Sequence, residues 1–100
     1  MATASNELED TPPDVSIELR ASDKAENTSV FEEMCEERGL TTHAARARYM
    51  GVSPRQLKRI VEHDDDPSSR FIAVALARFP RCSFRSLFAV IDKKTGRERR

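Results

Sequence analysis

Five residues between Ala47 and Ile60 constrain the fold more than any other feature of this 100-residue sequence. Two helices cross closely when the first presents a small side chain, the turn accepts a positive φ, and the second carries apolar anchors three apart. Ala47, Gly51, Val52, Leu57 and Ile60 supply these in order. Each alone says little, but in register they predict a helix-turn-helix over about Thr42 to His63. The flanking residues agree. Thr41 or Thr42 caps a helix over about 43–50, with Ala44, Ala47 and Met50 on one face and Gly51 at its end. Ser53-Pro54-Arg55-Gln56 then combines an N-cap, a proline at the first helical position and a capping-box glutamine. The helix it opens buries Leu57, Ile60 and Val61 and turns Arg55, Lys58, Arg59 and Glu62 outward.

The same signals extend both ways. Ser29-Val30-Phe31-Glu32 is a capping box for a helix over about 30–38, closed by Gly39, with Phe31, Met34 and Cys35 on one face. Asp64-Asp65-Asp66 and Pro67 break the chain before a fourth helix over about 69–79. That helix is apolar nearly all round and is expected to be the most buried element. Pro80 stops it, and Ser83 opens a fifth with Phe84, Leu87, Phe88 and Ile91 on one stripe and Val90 off it. The predicted fold class is all-α, a compact five-helix domain over residues 28–92. Residues 1–27 are expected to be a mostly disordered acidic tail, and residues 93–100 a frayed basic one. Within the first tail Val15, Ile17 and Leu19 alternate with Ser16 and Glu18, a strand pattern that needs a partner to form.

Charge narrows the function classes. The formal net charge is zero, yet residues 1–27 carry seven acids against two bases, and residues 28–100 fifteen bases against ten acids. An acidic segment on a basic domain suits a polyanionic partner. No apolar run approaches the ~20 residues of a membrane span, and no signal peptide is visible, so a cytoplasmic protein is expected. Cys35 and Cys82 have neither CxxC spacing nor nearby histidines, which argues against zinc; they read as small core hydrophobes, with a disulfide left open. His43 and His63 read as surface residues, and the Asp run lacks the spaced ligands and glycine of a calcium loop. No metal or cofactor is expected. No phosphate loop, activated nucleophile or carboxylate pair is present, so the chain is not expected to be an enzyme.

From about Phe31 to Phe88 the sequence resembles the Cro/phage-repressor type (XRE-type, lambda-repressor-like) helix-turn-helix domain. The matching strings are Glu37-Arg38-Gly39-Leu40-Thr41, Ala47 through Gly51-Val52-Ser53, and Leu57-Lys58-Arg59-Ile60. Pro67-Ser68 and Ser83-Phe84-Arg85-Ser86-Leu87-Phe88 continue the match. The resemblance implies a sequence-specific transcriptional regulator of phage or bacterial type that binds double-stranded operator DNA as a homodimer. Helix 53–62 would lie in the major groove. The implied base contacts are Arg55, Arg59, Gln56 and Pro54; the implied phosphate contacts are Thr42, His43, Ser53, Lys58, Arg46 and Arg48. Phe88, Val90 and Ile91 offer more apolar surface than one small core uses, and are the expected dimer interface. The sequence departs from the family in one extra residue at Thr41-Thr42, in Arg46 at an apolar position, and in Asp64-Asp65-Asp66 where a loop runs near phosphate. Those carboxylates keep an alternative open: a protein-interaction module of the same fold, an antitoxin or anti-activator, with weak or no DNA binding. The acidic N-terminal segment would then be a protein-binding surface; its ordinary reading is a solubilising tail, and a sharper one is a DNA mimic on the basic face.

Overall fold

In the computed structural model, which describes residues 12–99, every helix starts on a hydroxyl side chain. The elements are β1 (Val15–Leu19), α1 (Val30–Glu37), α2 (His43–Met50), α3 (Pro54–Val61), α4 (Ser69–Arg78), α5 (Phe84–Leu87) and β2 (Phe88–Asp92). Ser29, Thr42, Ser53, Ser68 and Ser83 each accept a hydrogen bond from the backbone N–H three residues on. At Ser29 the box is reciprocal, because the Glu32 carboxylate accepts from the Ser29 N–H at 3.1 Å. These caps satisfy backbone donors that helix geometry leaves unpaired, and so fix where each helix begins.

The chain is not all-α. β1 and β2 form an antiparallel pair in which Val15 faces Asp92, Ile17 faces Val90 and Leu19 faces Phe88. The stripe from Phe84 to Ile91 fits a helical period, but α5 stops after one turn and the chain extends from Phe88. Phe88, Val90 and Ile91 suit a pleated surface, and the alternating Val15, Ile17 and Leu19 provide the partner strand that a local window does not reveal. Leu19 and Phe88 meet across the ladder, and both are buried.

Both supposed tails are corrected in the same way over the described residues. The Arg20 N–H donates to the Leu87 carbonyl at 2.8 Å, and the Val30 N–H to the Arg20 carbonyl at 2.9 Å, so the end of β1 is tied to the start of α1. Disorder within residues 1–11 lies outside the described part. At the other end Gly96, at φ 72°, reverses the chain, and Glu98 bridges to Ile91. The Arg99 N–H donates to the Val90 carbonyl at 2.7 Å, and the Asp92 N–H to the Arg97 carbonyl at 2.8 Å. Arg20 joins the three segments. Its guanidinium pairs with the Glu98 carboxylate and donates to the carbonyls of Arg85 and Phe88.

The core lies between the sheet and the helices. Phe31 packs edge-on to Phe79 at 6.0 Å and near Phe71 at 5.8 Å; Phe71 in turn meets Phe88 at 6.4 Å. Cys35, Ala47, Met50, Leu57, Ile60, Ala75 and Leu87 complete it. α4 is less enclosed than its composition suggests: Phe71 and Ala75 are buried, while Ile72, Val74 and Leu76 are half-exposed. Both cysteines are free thiols, Cys35 fully buried and Cys82 partly so. No helix among the described residues is long and apolar enough to cross a membrane.

Candidate nucleic-acid interface

Helices α2 and α3 meet through the five residues whose spacing predicted them. Gly51 is the left-handed cap of α2, at φ 72° and ψ 29°, and its N–H donates to the Arg48 carbonyl at 3.1 Å. The Val52 N–H closes the turn onto the Ala47 carbonyl at 3.0 Å. Ala47, Leu57 and Ile60 are each 1% exposed, so the contact is sealed. A second tie joins the two helix starts: His43 Nε2 donates to the Pro54 carbonyl at 2.6 Å. That carbonyl can only accept, so the ring carries its hydrogen on Nε2.

The result is a start of α3 that is tied to α2 and faces outward. Ser53, Pro54, Arg55, Gln56, Lys58 and Arg59 are all exposed, as are Thr42 and His43. Ser53, Arg55, Gln56, Arg59 and Asp65 line a shallow groove of about 280 Å³. Arg55, Lys58 and Arg59 also line a second depression together with Glu62 and Asp64. Among the described residues, no ion pair or side-chain hydrogen bond engages Arg55, Lys58 or the exposed Arg48 of α2. Free cations on a fixed helix suit phosphate oxygens and base edges.

Other expected contacts are placed differently. Arg46 is mostly buried: its Nε donates to the Leu40 carbonyl at 2.8 Å, and its Nη atoms approach Glu32 at 3.8 Å and Glu36 at 3.5 Å. It clamps α1 to α2, and its charge is met by carboxylates of α1. Phe88 is 1% exposed within the single chain, and Val90 and Ile91 belong to β2. Phe88 is taken up by the chain's own core, while Val90 and Ile91 pair with β1 and stay half-exposed.

The acidic run also has a defined place. His63, at φ 65°, turns the chain back over the end of α3. The N–H groups of Asp64 and Asp65 then donate to the Arg59 carbonyl at 2.8 and 3.2 Å. This sets the Asp65 carboxylate against the Arg59 guanidinium, Nε to Oδ2 at 2.9 Å. The pairing crosses a helix end, where periodicity carries no register; opposite charges on either side of the helix stop were the only sign of it. Away from this face, Arg38 and Arg78 lie over the Phe79 and Tyr49 rings at 4.9 and 4.5 Å, contacts the sequence did not suggest. Among the described residues no cluster of His, Cys, Asp or Glu could hold a metal ion.

No family model, no curated protein and no solved structure matches the chain.

Proposed function

We propose that the chain is a sequence-specific double-stranded-DNA-binding regulator of transcription, of the phage-repressor type that residues 31–88 resemble, acting in the cytoplasm. The observation that carries this reading is the first turn of α3. It is capped by Ser53, fixed by His43 and exposed at Pro54, Arg55 and Gln56; Arg55, and Lys58 just beyond it, have no intramolecular partner among the described residues. An arginine so placed can fork onto guanine O6 and N7, while Lys58, Ser53 and Arg48 suit phosphate. The reading includes a homodimer on half-sites one helical turn apart, ~34 Å. Selection of bound duplexes from a random pool tests it. An enriched site is expected, and Arg55→Ala should cost ~1–3 kcal/mol and blur one base position. Failure to enrich any sequence at low salt sinks it. A sedimentation profile that stays monomeric with the selected duplex removes the dimer.

A second reading rests on Asp64 and Asp66, exposed carboxylates beside α3 that repel phosphate. In that case the chain is an interaction module, an antitoxin or anti-activator. A stoichiometric protein complex without any DNA signal would favour it.

A further inference from the structure

We infer that Asp65 is a positioning residue that holds Arg59 in the orientation needed to read a guanine, so that Arg59 and not Arg55 gives the sharper base preference. The inference rests on the DNA-reading proposed above and assigns a role within it to the acidic loop. Arg59 and Asp65 are tied twice. The Asp65 N–H donates to the Arg59 carbonyl at 3.2 Å, and the Asp65 carboxylate meets the guanidinium, Nε to Oδ2 at 2.9 Å and Nη2 to Oδ1 at 3.4 Å. The left-handed residue His63 and the Asp64 N–H bond to the same carbonyl, at 2.8 Å, fix the loop that carries it.

The edge that is used decides the consequence. A guanidinium presents a side edge, made by Nε–H and one Nη–H, and an end edge, made by the two Nη groups. Asp65 takes the side edge. The end edge is left free, and that edge forks onto O6 and N7 of guanine. Arg55 lies one turn earlier on the same stripe of α3 and in the same groove, without such a partner among the described residues. Arg59 and Asp65 are 51% and 47% exposed, so their pairing adds little to folding and water can reach the free edge. An immobilised arginine has less side-chain entropy to lose on binding. The carboxylate that looked only like a repeller of phosphate is therefore matched to a cation, and it trades general affinity for selectivity.

Two measurements test this. In the free protein, ¹⁵N relaxation should show the Arg59 Nε–H more ordered than that of Arg55, and Asp65→Ala should make them alike, with circular dichroism confirming that the variant folds. In selection from a random pool, the wild type should show a guanine preference that Arg59→Ala erases. Asp65→Ala should weaken that preference about two- to tenfold while affinity for unrelated duplexes rises. Equal mobility of the two arginines in the wild type overturns the inference. So does an Asp65→Ala variant that binds more tightly with its guanine preference intact, which would make the carboxylate a competitor only. A wild-type protein that selects no sequence overturns the DNA-reading itself, and an ordered Arg59 would then mark Asp65 as a clamp at the helix end.

Discussion

The α2–α3 pair and the β1–β2 sheet are held together in opposite ways. The helix pair is built from neighbours: a threonine cap, a left-handed glycine, a serine cap and a proline, all within about one stretch from Thr42 to Val61. The sheet joins residues from opposite ends of the chain, Val15 with Asp92 and Arg20 with Glu98. Arg46 and Arg59 of the helix pair have internal partners as Arg20 does, but not all of the pair's cations do. Arg20 is consumed by internal partners, whereas Arg55 and Lys58 have none among the described residues. Both regions feed the core, but the helix pair also presents cations with no internal partner among the described residues.

That contrast can be broken most forcefully at Phe88. Its ring joins the sheet to α4 and α5, and Phe88→Ala should cost about 3–5 kcal/mol in denaturant unfolding. If the α2–α3 pair depends on the sheet, helicity and the Tyr49 signal should be lost together; separate transitions would show the helix pair standing alone.

A pH series sharpens the comparison from the core that the regions share. Burial pushes the Cys35 thiol up from its ordinary 9.0 to about 11, because the thiolate is disfavoured away from water. The folded state therefore keeps its proton longer than the unfolded state. Cys35 contributes fully below about pH 9, and that contribution, up to about 2–3 kcal/mol, is lost as pH rises through 11. Unfolding measured between pH 8 and 11 should fall more steeply for the wild type than for Cys35→Ala. Parallel curves would refute the assignment.

The smallest effect is local to the helix pair. A Cβ at Gly51 would meet nothing within 4 Å, so the cost of Gly51→Ala comes from its positive φ alone, about 1–2 kcal/mol. Thermal melting should shift modestly while the sheet's long-range contacts persist. A loss as large as that of Phe88→Ala would show that the turn, and not the sheet, governs the fold.

The comparison also explains what was legible. Helix starts are written in single residues, and Ser29, Thr42, Ser53 and Ser83 mark them where they were expected. The five-residue register of the helix pair is likewise local. The strands were half legible: the alternation at Val15, Ile17 and Leu19 was visible, but its partner lies at Phe88 to Asp92, far along the chain. At Phe84 to Ile91 two periods overlap, and the helical one fits the large apolar residues except Val90, the residue that pairs with Ile17. Of the candidate interface, the exposed face of α3 followed from periodicity. Arg46 and Asp65 did not, because their partners lie on other elements or beyond a helix end.

The pairing of β1 with β2 has a consequence for synthesis. A chain emerging from the ribosome presents Val15 to Leu19 early and then waits until Phe88 to Asp92, and the Glu98 partner of Arg20, have been made. Closing so long a loop is slow relative to forming neighbouring helices. The α2–α3 pair is thus translated well before the core beneath it can be finished, and a nascent chain halted before Asp92 would carry its exposed basic helix on an incomplete support.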